Sequence, residues 1–219
     1  MLTIEDLKNN DSVNTYITRA DESLCALGYT EHSFAHVTKV AEDAGYILKT
    51  LGYPERDVEL AMISGYLHDI GNLVNRENHS LSGAVMAFRL LDNLGFDAAE
   101  IATVTTAIGN HDEGTGIPVN HVSAALILAD KSDVRRSRVR NVETSNFDIH
   151  DRVNYSVRKS ILKINEEQTL VKLKLTVDTK YGSVMDYFEI FLGRMIMCRM
   201  AAEKLKLEFK LIINEQQLI

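Results

Sequence analysis

The sequence is poor in the residues that interrupt helices or cross-link chains. Only two prolines and two cysteines occur among its 219 residues, and tryptophan is absent. The cysteines, Cys25 and Cys198, are far apart and form no Cys-x-x-Cys pair. This usage predicts two buried, reduced thiols in a cytoplasmic protein rather than a disulfide framework.

The sequence also lacks a long apolar run and an excess of positive charge. No stretch approaches the roughly 18 apolar residues of a transmembrane helix, and no basic segment precedes an apolar one near the start, as a signal peptide requires. The formal net charge is -7, so the overall field repels nucleic acid and anionic membranes. We therefore expect a soluble, cytoplasmic protein that binds neither.

Helical periodicity dominates the first 160 residues. Apolar residues make up 45% of the chain, and here they recur at the three- and four-residue spacing of helices with one buried face. Glycine, proline or asparagine stands near the ends of most of these segments. The pattern predicts a helix that follows residue 33 and further helices at 55–68, 80–94, 98–110 and 121–131.

The periodicity changes after residue 160. Residues 170–177 alternate between apolar and polar, which is typical of a half-exposed strand. A helix at 184–205 and a strand at 209–214 are predicted to follow. We thus expect a mainly α fold, with residues 1–160 forming a helical domain with a short N-terminal extension. Residues 161–219 would form a small α+β appendix containing a short antiparallel sheet.

Histidine and aspartate occur at the ends or on the apolar faces of these helices. An unpaired carboxylate in an apolar segment such as the one before Asp130 would cost several kcal/mol. Each residue alone fits a hydrogen-bonded core position, but a metal centre would satisfy all of them together. Imidazole suits Zn, Fe, Mn or Ni, and carboxylate also attracts harder ions such as Mg. The candidate ligands are His36, His68, Asp69, His79, His111 and Asp130.

This order of ligands resembles the HD superfamily over roughly residues 30–135. The shared contexts are His-Val-x-x-Val-Ala from residue 36, Gly-Tyr-Leu-His-Asp-Ile-Gly over 65–71, His-x-x-x-Gly-Ala from 79 and Ile-Leu-Ala-Asp-Lys over 127–131. The whole chain is also similar to a group of uncharacterised bacterial HD-domain proteins. The resemblance implies a five-helix HD core and a metal-dependent phosphohydrolase that acts on a nucleotide or another small phosphate ester.

The resemblance also implies how the metals would be held. One divalent ion would bind His36, His68, Asp69 and Asp130. A second would bind His79 and His111, with Asp69 bridging the two. Two such ions about 3.5–4 Å apart can clamp a phosphoryl group during displacement. In relatives with one metal, the extra histidines instead contact the substrate or transfer protons.

Several neighbouring residues are candidates for substrate contact or for orienting a ligand. Asn72 replaces the lysine of the common His-Asp-Ile-Gly-Lys sequence, so its amide would contact phosphate, and Lys131 would supply the charge as a catalytic residue beside Asp69. Either His32 or His36 could be the ligand of the first helix; His36 is favoured, which leaves His32 and Glu113 to orient ligands. A basic cluster could be a phosphate clamp or a solvated face; its candidate residues are Arg135, Arg136 and Arg138.

Other interpretations stay open at this point. The pair His150 and Asp151 stands in polar surroundings and is predicted to have a structural or dimer role. The C-terminal helix and strands could form a homodimer interface. The chain could also be a metal-containing nucleotide-binding regulatory module, or a di-iron oxygenase similar to myo-inositol oxygenase.

Overall fold

The structure, a computed structural model, describes residues 2–141 and 143–218. Helices dominate the described residues, which confirms the mainly α class. Each of the predicted helices is present, and its ends lie within about two residues of the predicted ones, the usual uncertainty of helix boundaries. The helices in chain order are α1 (Ile4–Lys8), α2 (Asp11–Ala26), α3 (Phe34–Thr50), α4 (Glu55–Leu67), α5 (His79–Leu94), α6 (Ala98–Gly109), α7 (His121–Ser132), α8 (Ile149–Ser156) and α9 (Val184–Lys204).

Helix α7 is the central element of the bundle. Its residues from Val122 to Ser132 are all buried, and it packs against α3, α4, α6 and α9. Asn120 starts the helix by accepting a hydrogen bond from the backbone N–H of Ser123 at 2.8 Å. A helix that is enclosed on every side must be apolar all round. The buried polar residues at its C-terminal end, Asp130 and Lys131, are therefore exceptions that need partners.

A close backbone approach between α3 and α4 sets the distance between the first two histidines. A Cβ atom on Gly65 of α4 would lie 2.7 Å from the Cα of Ala41 in α3. Only glycine allows the two helices to approach this closely. The contact brings His36, near the start of α3, beside His68, which directly follows α4.

The strands form one sheet after the helical bundle. The strands, in sheet order, are β1 (Val157–Ile164), β2 (Leu170–Val177), β3 (Glu208–Ile213) and β4 (Gln216–Gln217). Pairing is antiparallel for β1 with β2 and for β3 with β4, but β2 and β3 are parallel. The prediction of an antiparallel sheet is thus wrong for that pair. The cause is the crossover through α9, which returns the chain to the same end of the sheet.

The sheet and the helices bury apolar residues in one continuous core. The inward side chains of β2 alternate with exposed ones, as the sequence pattern predicts. The boundary between domains at residue 160 stays a prediction. Of the two free cysteines, Cys198 is buried and Cys25 is exposed. The prediction of two buried thiols is therefore wrong for Cys25, which lies on the outer face of α2.

Among the described residues, no helix combines the length and the apolar character needed to span a bilayer.

Candidate metal centre

The six candidate ligands lie at helix ends that converge on one buried point. Each is 8% exposed or less. Helix starts supply two of them, and helix ends supply the other four. The burial of so many ionisable groups in one place is unusual unless they share a partner. The ligands are His36 in the first turn of α3, His68 and Asp69 after α4, His79 at the start of α5, His111 after α6 and Asp130 in the last turn of α7.

Four of these residues form a first cluster. The Nε2 atom of His36 is 3.5 Å from Oδ2 of Asp69 and 3.4 Å from Oδ1 of Asp130. The Nε2 atom of His68 is 3.1 Å from the same oxygen of Asp69 and 3.7 Å from that of Asp130. Two nitrogens and two carboxylate oxygens thus face one another around a common point, which is the donor set predicted for the first metal.

The other two histidines form a second cluster beside the first. The Nε2 atoms of His79 and His111 are 3.2 Å apart. The Nε2 atom of His79 is 3.5 Å from Oδ1 of Asp69. Asp69 therefore directs one carboxylate oxygen to each cluster, as a bridging ligand does.

Hydrogen bonds on the far side of each ring fix which nitrogen is free to bind. In each of the four rings Nδ1 faces an oxygen that can only accept, so in the neutral ring that binds a metal Nδ1 carries the hydrogen and Nε2 presents a lone pair. All four Nε2 atoms point into the clusters. The Nδ1 partners are Oδ2 of Asp133 for His36 at 2.8 Å, and the carbonyl oxygens of Gly65 for His68 at 2.8 Å, Arg76 for His79 at 3.1 Å and Ile108 for His111 at 2.6 Å.

Three of the converging atoms lack a hydrogen-bond partner in the described part of the chain. They are Nε2 of His36, Nε2 of His68 and Oδ2 of Asp69, and all three are buried. A buried polar atom without a partner costs about 1–3 kcal/mol, so native proteins rarely leave several of them together. Nitrogen lone pairs and carboxylate oxygens are donors for a divalent metal ion. The residues present therefore fit such an ion.

The electrostatics of the two clusters differ. Burial lowers the pKa of His68, but the carboxylates of Asp69 and Asp130 outweigh it and raise this pKa to about 10. Burial lowers the pKa of His111, and the positive charges of His68 and Lys131 lower it further. The first cluster thus favours a positive charge between its carboxylates, and a metal ion competes with protons for that position.

Lys131 is held at the rim of the first cluster as an ammonium group. Its Nζ atom is 2.8 Å from Oδ2 of Asp130 and 3.3 Å from Oε2 of Glu113. Burial lowers the pKa of Lys131, but these two carboxylates raise it above its ordinary value. The Nε atom of Arg194 in α9 is 2.7 Å from Oε1 of Glu113 and forms an ion pair with it. Glu113 therefore contacts Lys131 and Arg194 and not a ligand imidazole, which corrects the predicted role.

Asn72 and His32 both lie beside the candidate ligands. The side-chain amide of Asn72 donates to the carbonyl oxygen of Asp69 at 2.9 Å and to its Oδ1 at 3.0 Å. Asn72 is buried and does not line the space between the ligands; its predicted contact with substrate stays a prediction. His32 lines the space beside the clusters, and its ring centre is 5.5 Å from that of His36. That position agrees with a role beside the ligands rather than among them.

The basic cluster after α7 divides between two environments. Arg138 is 3% exposed and lines the recess between the ligands, which we call the metal pocket. Arg135 instead donates to Oδ1 of Asp133 at 2.8 Å. Arg136 donates to the carbonyl oxygen of Tyr155 at 2.6 Å and stacks on its ring. The structure thus brings one of the three predicted clamp residues to the metal pocket and not Arg135 or Arg136.

Three contributing residues were not predicted. Asp133 fixes the ring of His36, and Arg76 and Arg194 line the metal pocket. The spacing of Asp133 three residues after Asp130, in one helical turn, was a signal that could have found it. Arg76 follows Asn72 in the loop before α5, and Arg194 stands in a different part of the chain, where nothing in the local pattern marks it.

A larger cavity of about 390 Å³ adjoins the metal pocket. Both are lined by His32, Arg76, Arg138 and Arg194. We call the remainder of this space the outer cavity; its walls include Tyr29, Phe191, Asn154 and the start of α8, with Asp148, His150 and Asp151. The pair His150 and Asp151, predicted to be structural or at a dimer interface, therefore lies on the wall of a cavity that opens to the candidate metal centre.

Comparison with known proteins agrees with this arrangement. Residues 33–139 match the model of the HD domain. An uncharacterised protein of Methanocaldococcus jannaschii is 27% identical over 190 residues, which cover 76% of this chain and 73% of that protein. Ribonuclease Y 1 of Pediococcus pentosaceus is 33% identical over 107 residues, which cover 48% of this chain and 18% of that protein.

A solved structure, of a predicted HD superfamily hydrolase from an uncultured Thermotogales bacterium, is similar with a TM-score of 0.44 and 25% identity. The match covers 57% of this chain and 67% of the other. The segment that matches the HD domain model contains all six candidate ligands. Residues 33–139, just under half of the chain, are therefore similar to an HD domain.

Proposed function

We propose that this chain is a metal-dependent phosphohydrolase with two divalent ions, which releases phosphate from a nucleotide or another small phosphate ester. The observation that carries the proposal is the convergence of three buried atoms without partners, on His36, His68 and Asp69. The match of residues 33–139 to the HD domain, a family with many metal-dependent hydrolases, supports it. Zn, Fe, Mn, Ni and Mg are the candidate metals.

The proposed ligands divide between two ions. His36, His68, Asp69 and Asp130 would hold the first, while His79 and His111 would hold the second together with Asp69. When bound, divalent ions activate water for attack on phosphorus and neutralise charge on the phosphoryl group. Hydrolysis adds that water across the P–O bond and yields an alcohol and inorganic phosphate.

Cationic side chains around the metal pocket support a phosphate substrate. Arg76, Arg138, Arg194 and Lys131 all line it. Guanidinium groups present paired N–H donors that match two phosphate oxygens. We propose that the arginines orient the phosphate, while Lys131, fixed by Asp130 and Glu113, stabilises the charge that develops during displacement.

The proposal is tested with the purified full chain, a panel of phosphate esters and each candidate metal in turn. We expect release of inorganic phosphate from at least one ester, only with metal present. No release from any ester with any metal contradicts the proposal. Tight nucleotide binding without turnover would favour the regulatory module, whereas oxygen uptake with a mixed-valent iron signal in electron paramagnetic resonance would favour the oxygenase.

The number of metals gives a second prediction, made with His79→Ala. Without this imidazole, only His111 and one oxygen of Asp69 would hold the second ion, so metal content should fall from about two to about one per chain. Elemental analysis measures it. His121→Ala is the matched control, because His121 is half-buried, contacts Asp57 at 2.9 Å and lies outside both clusters. Two metals retained in His79→Ala would contradict the dinuclear centre.

A further inference from the structure

The two ends of the cavity differ in charge. Asp148 and Asp151 line the outer cavity but not the metal pocket, whereas Arg76, Arg138 and Arg194 line both. The guanidinium groups thus stand between the ligand clusters and the two carboxylates. A molecule that fills the outer cavity therefore meets three guanidinium groups where the cavity adjoins the metal pocket and two carboxylates at the start of α8.

Arg76 and Arg138 keep donors available for a ligand. Arg76 donates to Oδ1 of Asn72 at 3.2 Å, and no carboxylate among the described residues pairs with it within 4.0 Å. The buried Arg138 donates from Nε and Nη1 to the carbonyl oxygens of Glu31 and Asp133. Its Nη2 atom has no hydrogen-bond partner in the part of the chain that the structure describes. Such donors suit one phosphate group.

The opposite wall is built by the start of α8. Asp148 caps this helix by accepting a hydrogen bond from the backbone N–H of Asp151 at 2.7 Å. Burial and the carboxylate of Asp148 raise the pKa of Asp151, so each carboxylate is close enough to affect the other. Two carboxylates accept hydrogen bonds from hydroxyl or amino groups, and they repel a further phosphate.

We propose that the outer cavity selects a phosphate monoester in one orientation, with its single phosphate at Arg76, Arg138 and Arg194. The uncharged part, which carries hydrogen-bond donors, lies against Asp148 and Asp151. The substrate class is thus a monophosphate of a nucleoside or a similar polyhydroxyl compound, and esters with a second phosphate at the far end are disfavoured. This inference rests on the proposed function and names its substrate class.

The experiment compares a nucleoside 5′-monophosphate with the matching nucleoside 3′,5′-bisphosphate, using the metal-loaded full chain. We expect kcat/KM for the monophosphate to exceed that for the bisphosphate by at least about tenfold, because like charges brought together disfavour the wrong ligand. In the double variant Asp148→Asn with Asp151→Asn, this ratio should fall by about tenfold. Asparagine also caps helices well, so α8 is retained.

A second double variant, Glu42→Gln with Glu203→Gln, removes two negative charges at exposed positions outside the cavity. It should keep the wild-type ratio. This result would show that the selectivity comes from the two aspartates at the cavity and not from the net charge of the chain. A wild-type ratio near one overturns the inference, and so does a ratio that the aspartate double variant leaves unchanged. In either case, turnover of the monophosphate still upholds the proposed function.

Binding measurements test the inference when no turnover is detected. If no ester is hydrolysed, the proposed function fails, and the dissociation constants of the same two compounds are measured by calorimetry. Tighter binding of the monophosphate, lost in the aspartate double variant, supports the inference. Equal affinities for the two compounds overturn it.

Discussion

The Asp69→Asn variant is expected to lose most of its bound metal and its hydrolytic activity. One carboxylate oxygen of Asp69 is 3.1 Å from Nε2 of His68, and the other is 3.5 Å from Nε2 of His79. An amide offers one neutral oxygen in place of two charged ones, so neither ion keeps its ligand set. We expect metal content below one per chain and a loss in kcat/KM beyond the 10- to 100-fold that is typical when a residue that only orients a ligand is removed.

Elemental analysis and phosphate release measure this result. Asp92→Asn is the matched control, since Asp92 is exposed on α5 and makes only a surface ion pair with Arg89 at 3.6 Å. Thermal unfolding of both variants without metal shows whether each still folds. An Asp69→Asn protein that is folded and holds two metals would contradict the shared carboxylate.

The helices that build the HD core could be predicted because each carries its own apolar face. α2 carries one as well, with Val13, Ile17, Ala20 and Leu24 buried at helical spacing. Polar and charged residues outnumber them in this segment. Its burial depends on contact with the 3₁₀ turn at Ile70–Leu73, which is a tertiary interaction. Local periodicity cannot show such a partner.

The ligand set could be predicted from the sequence, but the contacts that surround the ligands could not. Histidine and aspartate at apolar helix ends stand out in the sequence, and their order resembles a known family. The hydrogen bond from His36 to Asp133 and the approach of Arg194 to Glu113 depend on how the helices pack. Arg194 is brought in by α9, which lies in the predicted C-terminal appendix and packs on α7.

In the basic cluster after α7, the contacts of each arginine depend on the residues around it in the fold. Arg135 and Arg136 stand next to each other in sequence near Asp130, which suggested a clamp. Arg135 pairs with Asp133 at 2.8 Å, and Arg136 lies 3.5 Å from Asp178. Neither of them lines the metal pocket, whereas Arg76, Arg138 and Arg194 do, so the phosphate contacts fall to those three arginines in our proposal.

Gly71→Ala is the second variant with a large expected effect, here on stability. Gly71 lies in the 3₁₀ turn after the His-Asp pair, where a Cβ atom would come closer than 3.0 Å to the carbonyl oxygen of His79 and the backbone nitrogen of Gly83. Both are backbone atoms of α5 and cannot rotate away. We expect a loss of about 3 kcal/mol or more in the free energy of unfolding, at the upper end of overpacking effects.

A shift of α5 away from the added Cβ atom should also weaken the second metal cluster, because α5 begins at His79. The melting temperature should fall by roughly 2–4 °C for each kcal/mol lost in a chain of this size, and metal content should fall with it. Gly193→Ala is the control, since its Cβ meets nothing within 4 Å in the middle of α9. Alanine should stabilise that helix by roughly 0.5–1 kcal/mol. Equal melting temperatures for the two variants would contradict the close contact between the turn and α5.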